Sequence, residues 1–138
     1  MNIIKQCFFD TSAIVSTLIK NDQHHQKATQ ILSNINKKPA IERITTDYVL
    51  DESLTLLKAR GYYKLAADFS KGLLGTNFKI IYITPAIFQQ SLLYFAKHQD
   101  KAYSFTDCVS FVVMRNYQIK HAFTFDHHFE QASFLIIK

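Results

Sequence analysis

The sequence is poor in the residues that interrupt or cross-link a chain. Three glycines and two prolines among 138 residues, with 48% hydrophobic against 20% charged residues, argue against disorder and low complexity and for one buried core. Two cysteines, Cys7 in a strand pattern and Cys108 in an apolar helix pattern, are too few for a disulfide framework and suit reduced, packed thiols. No segment approaches the ~20 uninterrupted apolar residues that cross a bilayer, so no membrane association is expected. The opening MNIIKQCFFDTSAIV breaks its apolar run at Lys5, Gln6 and Asp10 and lacks both a basic leader and a small-residue cleavage site, which favours a cytoplasmic location. With no linker or repeat, one domain over residues 1–138 is expected.

Sixteen Lys and Arg against eleven Asp and Glu give a formal charge of +5. The basic residues are scattered, so the excess favours polyanionic partners without identifying one.

Hydrophobic periodicity predicts strands at Ile3–Phe9, Ile41–Thr45, Lys79–Ile83, Ala122–Phe125 and Phe134–Ile137. Helices are expected over Thr11–Lys20, Gln23–Asn36 (before Lys37, Lys38 and Pro39), from a Thr46 or Asp47 cap to Arg60, Tyr62–Leu74, Pro85 to about Lys97, and Thr106 to about Asn116, with one turn at Asp126–Gln131. This alternation argues for an α/β layer structure with a largely parallel sheet.

Ligand sites in such sheets form beyond the carboxyl ends of the strands. Asp10 and Asp126 each follow a predicted strand there, although each could simply cap the next helix. In TTDYVLDESLTLLKAR, Asp51 falls opposite the apolar face, whereas Glu52 flanks it, where a carboxylate loses part of its hydration. In SFTDCVSFVVMRN the helix is apolar nearly all round and therefore buried, and Asp107 sits at its N-terminal end with Thr106 or Ser104 as a cap. The helix dipole would favour its charge by about 0.3 to 1 kcal/mol, too little to offset burial of an ion. If Asp10, Glu52, Asp107 and Asp126 converge, their repulsion demands a cation, and oxygen ligands suit Mg²⁺ or Mn²⁺.

These blocks, FFDTSAIVSTLIKNDQHHQKA, TTDYVLDESLTLLKARG, DKAYSFTDCVSFVVMRN and AFTFDHHFEQ, resemble PIN-domain ribonucleases of the VapC toxin type through nearly the whole chain. The resemblance implies a PIN-like three-layer α/β fold, a central largely parallel sheet of about five strands flanked by helices. It also implies an acidic pocket that binds Mg²⁺ or Mn²⁺ and cleaves single-stranded or looped RNA, with Asp10, Glu52, Asp107 and Asp126 as the four family acids. Asp100 falls where many relatives carry an acid and is held, with Ser12, as an outer-shell member. Ser133 stands where relatives often have Gly. Toxins of this group are commonly inhibited by a small antitoxin and often form homodimers. Cleavage through metal-bound water is expected to leave a 5′ phosphate and a 3′ hydroxyl.

Thr11 is expected to serve the first helix, and Lys58, Arg60 and Lys101 to carry solvated charge, with phosphate contact as the alternative. His127 and His128 lack the partner set of a zinc site and are expected to cap the turn, pack beside Phe129 or touch substrate. His24 and His25 read as helix surface. A phosphorylation receiver would need paired acids after the first strand and an acceptor in KIIYITP; a haloacid-dehalogenase-type phosphatase would need Asp-x-Asp where Asp10, Thr11 and Ser12 stand. The remaining alternative is a catalytically inactive PIN-fold module that binds RNA or an antitoxin.

Overall fold

The computed structural model describes residues 3–38, 40–73, 75 and 77–138. Five strands, β1 (Gln6–Phe9), β2 (Glu42–Thr46), β3 (Phe78–Ile81), β4 (His121–Phe123) and β5 (Leu135–Ile136), form one sheet in the order β3-β2-β1-β4-β5. Every pairing is parallel, so crossovers must connect the strands. They are α1 (Thr11–Leu18), α2 (His25–Asn36), α3 (Asp47–Ala59), α4 (Tyr63–Leu73), α5 (Pro85–Lys97), α6 (Phe105–Asn116) and α7 (His128–Gln131). The PIN-like α/β expectation is met.

The order of the strands makes β1 the point where the chain reverses its direction of winding. β2 and β3 are laid down on one side of it and β4 and β5 on the other. A crevice opens at such a reversal because the connections leave in opposite directions, and here it lies beyond the ends of β1 and β4.

Several helix starts are set by side chains. Thr46 caps α3 by accepting the Val49 amide at 3.1 Å, and Thr84 caps α5 before Pro85 by accepting the Ile87 amide at 3.2 Å. At the start of α6, Ser104 and Asp107 form a reciprocal capping box, so Ser104 rather than Thr106 is the cap. The predicted end of α4 at Leu74, and Pro39 after α2, lie outside the described residues.

Strand ends depart from prediction where polar side chains take over the backbone. β3 stops at Ile81, and the Ile83 amide donates to the Asp47 carboxylate at 3.1 Å. β4 stops at Phe123, after which the Phe125 and Asp126 amides donate to the Ser12 and Thr124 hydroxyls, each at 2.9 Å. β1 begins at Gln6 rather than Ile3, opposite Glu42. β5 is the two residues Leu135 and Ile136.

The core gathers Phe8, Phe111, Phe123 and Phe129, all fully buried, with Phe111 and Phe129 edge to face at 4.9 Å. Cys7 and Cys108 are free and buried; burial pushes their thiols up to about 12 and about 11 respectively, which keeps them protonated and inert. Among the described residues, no helix is long and apolar enough to cross a membrane.

Candidate functional site

Asp10 stands one residue beyond β1. Its amide donates to the Phe123 carbonyl at 3.1 Å, extending the pairing with β4. The carboxylate oxygen Oδ2 accepts the Thr124 hydroxyl at 2.8 Å and the Ser12 hydroxyl at 2.9 Å, and caps α1 through the Ser12 amide at 3.4 Å. Asp10 is thus both a cap and a buried charge. The Ser12 and Thr124 oxygens are 3.1 Å apart; with both protons directed at the carboxylate, each is left to accept a backbone amide, from Phe125 and Asp126. Ser12 therefore lies where an outer-shell residue would.

Asp107 is carried by α6. Its Oδ2 accepts the Ser104 amide at 3.1 Å, and eight consecutive residues from Asp107 to Met114 are buried. Asp126 follows β4, and its Oδ1 accepts the His128 amide at 2.9 Å, turning the chain into α7. Glu52, on α3, is half-buried, while its neighbour Asp51 is exposed.

Asp10, Glu52, Asp107 and Asp126 all line one cleft of about 500 Å³. Burial pushes the Asp10 carboxyl from 3.8 up to about 6 against the Thr124 and Ser12 hydrogen bonds, with repulsion from Asp107 adding to the rise. Burial also raises Asp107, aided by the Asp126 charge, while the Ser104 amide and His128 pull it back. These carboxyls are close enough to disfavour one another's ionisation, which a cation would relieve. Hard oxygen donors of this kind suit a divalent ion such as Mg²⁺ or Mn²⁺.

His128 occupies a place that its sequence neighbours do not announce. Its Nδ1 lies 3.0 Å from Asp107 Oδ2 and 3.1 Å from Asp126 Oδ1, and its ring meets Tyr103 edge to face at 5.5 Å. Rather than capping the turn, it bridges the two acids. The side chain of His127 is 74% exposed, with Nδ1 3.9 Å from Asp126 Oδ1. Potential ligand atoms of Asp126, His127 and His128 lie within 4.8 Å of one another, a mixed oxygen and nitrogen set with no thiolate.

The remaining candidate positions divide between the cleft and the surface around it. Asp100 does not line the cleft: its side chain is 71% exposed, 3.9 Å from Lys101. Thr11 donates to the Val49 carbonyl at 3.4 Å, tying α1 to α3. Arg60 lines the cleft, whereas Lys58 and Lys101 do not. His24 is not helix surface: it lines the cleft and stacks on Phe125 with centroids 4.5 Å apart and planes 1° from parallel. Nearby Asp22 is raised by burial but ends below its usual range, because the Ser16 side chain, the His24 amide and the His24 and Arg60 charges outweigh it. Thr124, a lone hydroxyl among apolar residues of AFTF, was the available sign of a buried polar contact.

Residues 7–135 match the family model described as PIN domain. The chain belongs to the PIN-domain family. Over 131 residues it is 30% identical to the 23S rRNA-specific endonuclease VapC20 of Mycobacterium tuberculosis strains CDC 1551 / Oshkosh and H37Rv, covering 95% of this chain and 97% of the relative. The crystal structure of M. tuberculosis VapC20, a Sarcin-Ricin loop cleaving toxin, superposes with a TM-score of 0.86 at 30% identity, covering 94% of this chain and 96% of that one. FitAcB from Neisseria gonorrhoeae shares the fold at 15% identity and a TM-score of 0.67, covering 96% of each chain. This PIN domain thus shares its architecture with chains of quite different sequence.

Proposed function

We propose that this PIN domain is a metal-dependent endoribonuclease, the toxin of a type II toxin–antitoxin pair, acting on single-stranded or looped RNA. The observation that carries the reading is the convergence of Asp10, Glu52, Asp107 and Asp126 on one cleft. Similarity over most of the chain to an rRNA-specific endonuclease supports RNA as the substrate. A ribosomal loop is accordingly the substrate to test first. One domain, a cytoplasmic location, a small antitoxin and a homodimer belong to the same reading.

Asp10, Asp107 and Asp126, with Glu52 directly or through water, would hold Mg²⁺ or Mn²⁺. When bound, such an ion lowers the pKa of water and offsets charge on a phosphodiester undergoing attack. The protein's own part is positional. Ser12 and Thr124 fix the Asp10 carboxylate from one side, the Ser104 amide fixes Asp107, and His128 holds Asp107 and Asp126 in register. Such preorganisation means that little reordering is needed when substrate arrives.

The test is cleavage of a mixed RNA pool by purified protein, with Mg²⁺ or with chelator, followed by mapping of the 5′ ends. Cleavage is expected only with the ion, leaving 5′ phosphates, and Asp107→Asn is expected to reduce it at least about 100-fold. Cleavage by Asp107→Asn at the wild-type rate sinks the assignment; binding without cleavage by folded, inhibitor-free protein points to the inactive module.

A further inference from the structure

Resting on the reading of this cleft as an RNA-cleaving site, we infer that His24 and Phe125 form a platform on which one unpaired RNA base stacks, with Arg60 beside it for a phosphate. The cleft's charge creates the need. Asp10, Asp22, Glu52, Asp107 and Asp126 line it, and among the described lining residues Arg60 is the sole lysine or arginine. A polyanion entering it meets mostly its own sign of charge. Stacking contributes binding that does not depend on charge, and a flat ring is how proteins hold splayed-out RNA bases.

The two rings come from different elements, one just before α2 and one just after β4, and are anchored by separate contacts. Phe125 meets Phe123 edge to face at 6.1 Å, which anchors it to the core, and its amide donates to the Ser12 hydroxyl that also serves Asp10. The ring is therefore set at a fixed distance from the acids. His24 precedes α2, with its amide donating to the Asp22 carboxylate at 2.9 Å and its carbonyl accepting the Ala28 amide at 2.8 Å. Its imidazole makes no capping bond to that helix. Both residues are half-buried and line the cleft, and because the two rings cover one face of each other, the base stacks on an outer face of the pair. Their position beside Asp126 puts the stacked base next to the scissile phosphodiester, and the greater ring overlap of a purine favours it over a pyrimidine.

The experiment mixes the full chain in Mg²⁺ with single-stranded RNAs that carry 2-aminopurine at successive positions. The fast fluorescence quench caused by stacking is read separately from the later cleavage phase. Quenching is expected at one position beside the cut. His24→Ala should weaken binding about 5- to 100-fold and raise KM more than it lowers kcat, whereas His24→Phe should restore affinity to within about threefold of wild type. Circular dichroism verifies that both variants are folded. The platform is overturned if the wild type quenches at no position, if His24→Ala binds like wild type, or if His24→Phe is as weak as His24→Ala. Quenching without any cleavage refutes the nuclease reading and leaves the platform standing; cleavage with an unaffected His24→Ala refutes the platform alone.

Discussion

Replacing Asp10 by asparagine tests the electrostatics of the cleft while nearly preserving its shape. The folded carboxyl, pushed by burial to about 6 from 3.8, keeps its proton over a range where the unfolded one has lost it. The folded state therefore binds more protons, and stability falls as pH rises through that interval. A gap of about 2 pH units at 1.36 kcal/mol per unit amounts to about 3 kcal/mol lost by pH 7.5. Asparagine carries no such charge, and its one oxygen can still accept from Ser12 and Thr124. In chelator at pH 7.5 the variant should be more stable by up to about 3 kcal/mol, or roughly 10 °C in Tm. By pH 4 the advantage should all but vanish. Urea unfolding followed by circular dichroism at both pH values reads the difference, in which the carboxylates common to both proteins largely cancel. Added Mg²⁺ should stabilise the parent and the variant less. An equal gap at the two pH values, or a variant less stable at pH 7.5, would refute the argument that this buried charge strains the fold.

Thr124→Val keeps the size of the side chain but strips a donor from Asp10 and leaves the Asp126 amide without its acceptor; a loss of about 1–3 kcal/mol is expected in urea unfolding. Ser133 holds a left-handed backbone with φ of 74°, where an L side chain is strained and glycine is not. Ser133→Gly should therefore raise stability by about 0.5–1 kcal/mol in the same assay, and a destabilised variant would contradict this.

The carboxylates were legible because their surroundings in the chain are unusual. An acid at the head of a helix with no polar face, as in SFTDCVSFVVMRN, or just after an apolar strand, as in CFFDTS, has a visible cost. The cysteines were legible for a similar reason. The side chains that hold those acids were less so, because their partners are set by register. Ser12 and Thr124 meet only because β1 pairs with β4, and nothing in either segment names the other. His24 was misjudged in the same way, and the acids flanking His128 were not foreseen. A histidine at a loop or a one-turn helix carries no mark of what folds over it, and here the partners are Phe125 for one and two carboxylates for the other. Asp100 is the converse case: an acid at a family position whose side chain is largely exposed beside Lys101, outside the cleft lining.

The deep seating of α6 makes its first acid part of the interior as well as of the cleft. Every residue from Asp107 to Met114 is enclosed, so the backbone that carries this acid has no room to move independently of its neighbours. A shift of α6 would have to drag that whole enclosed face with it, so the place of this acid is tied to how the interior packs.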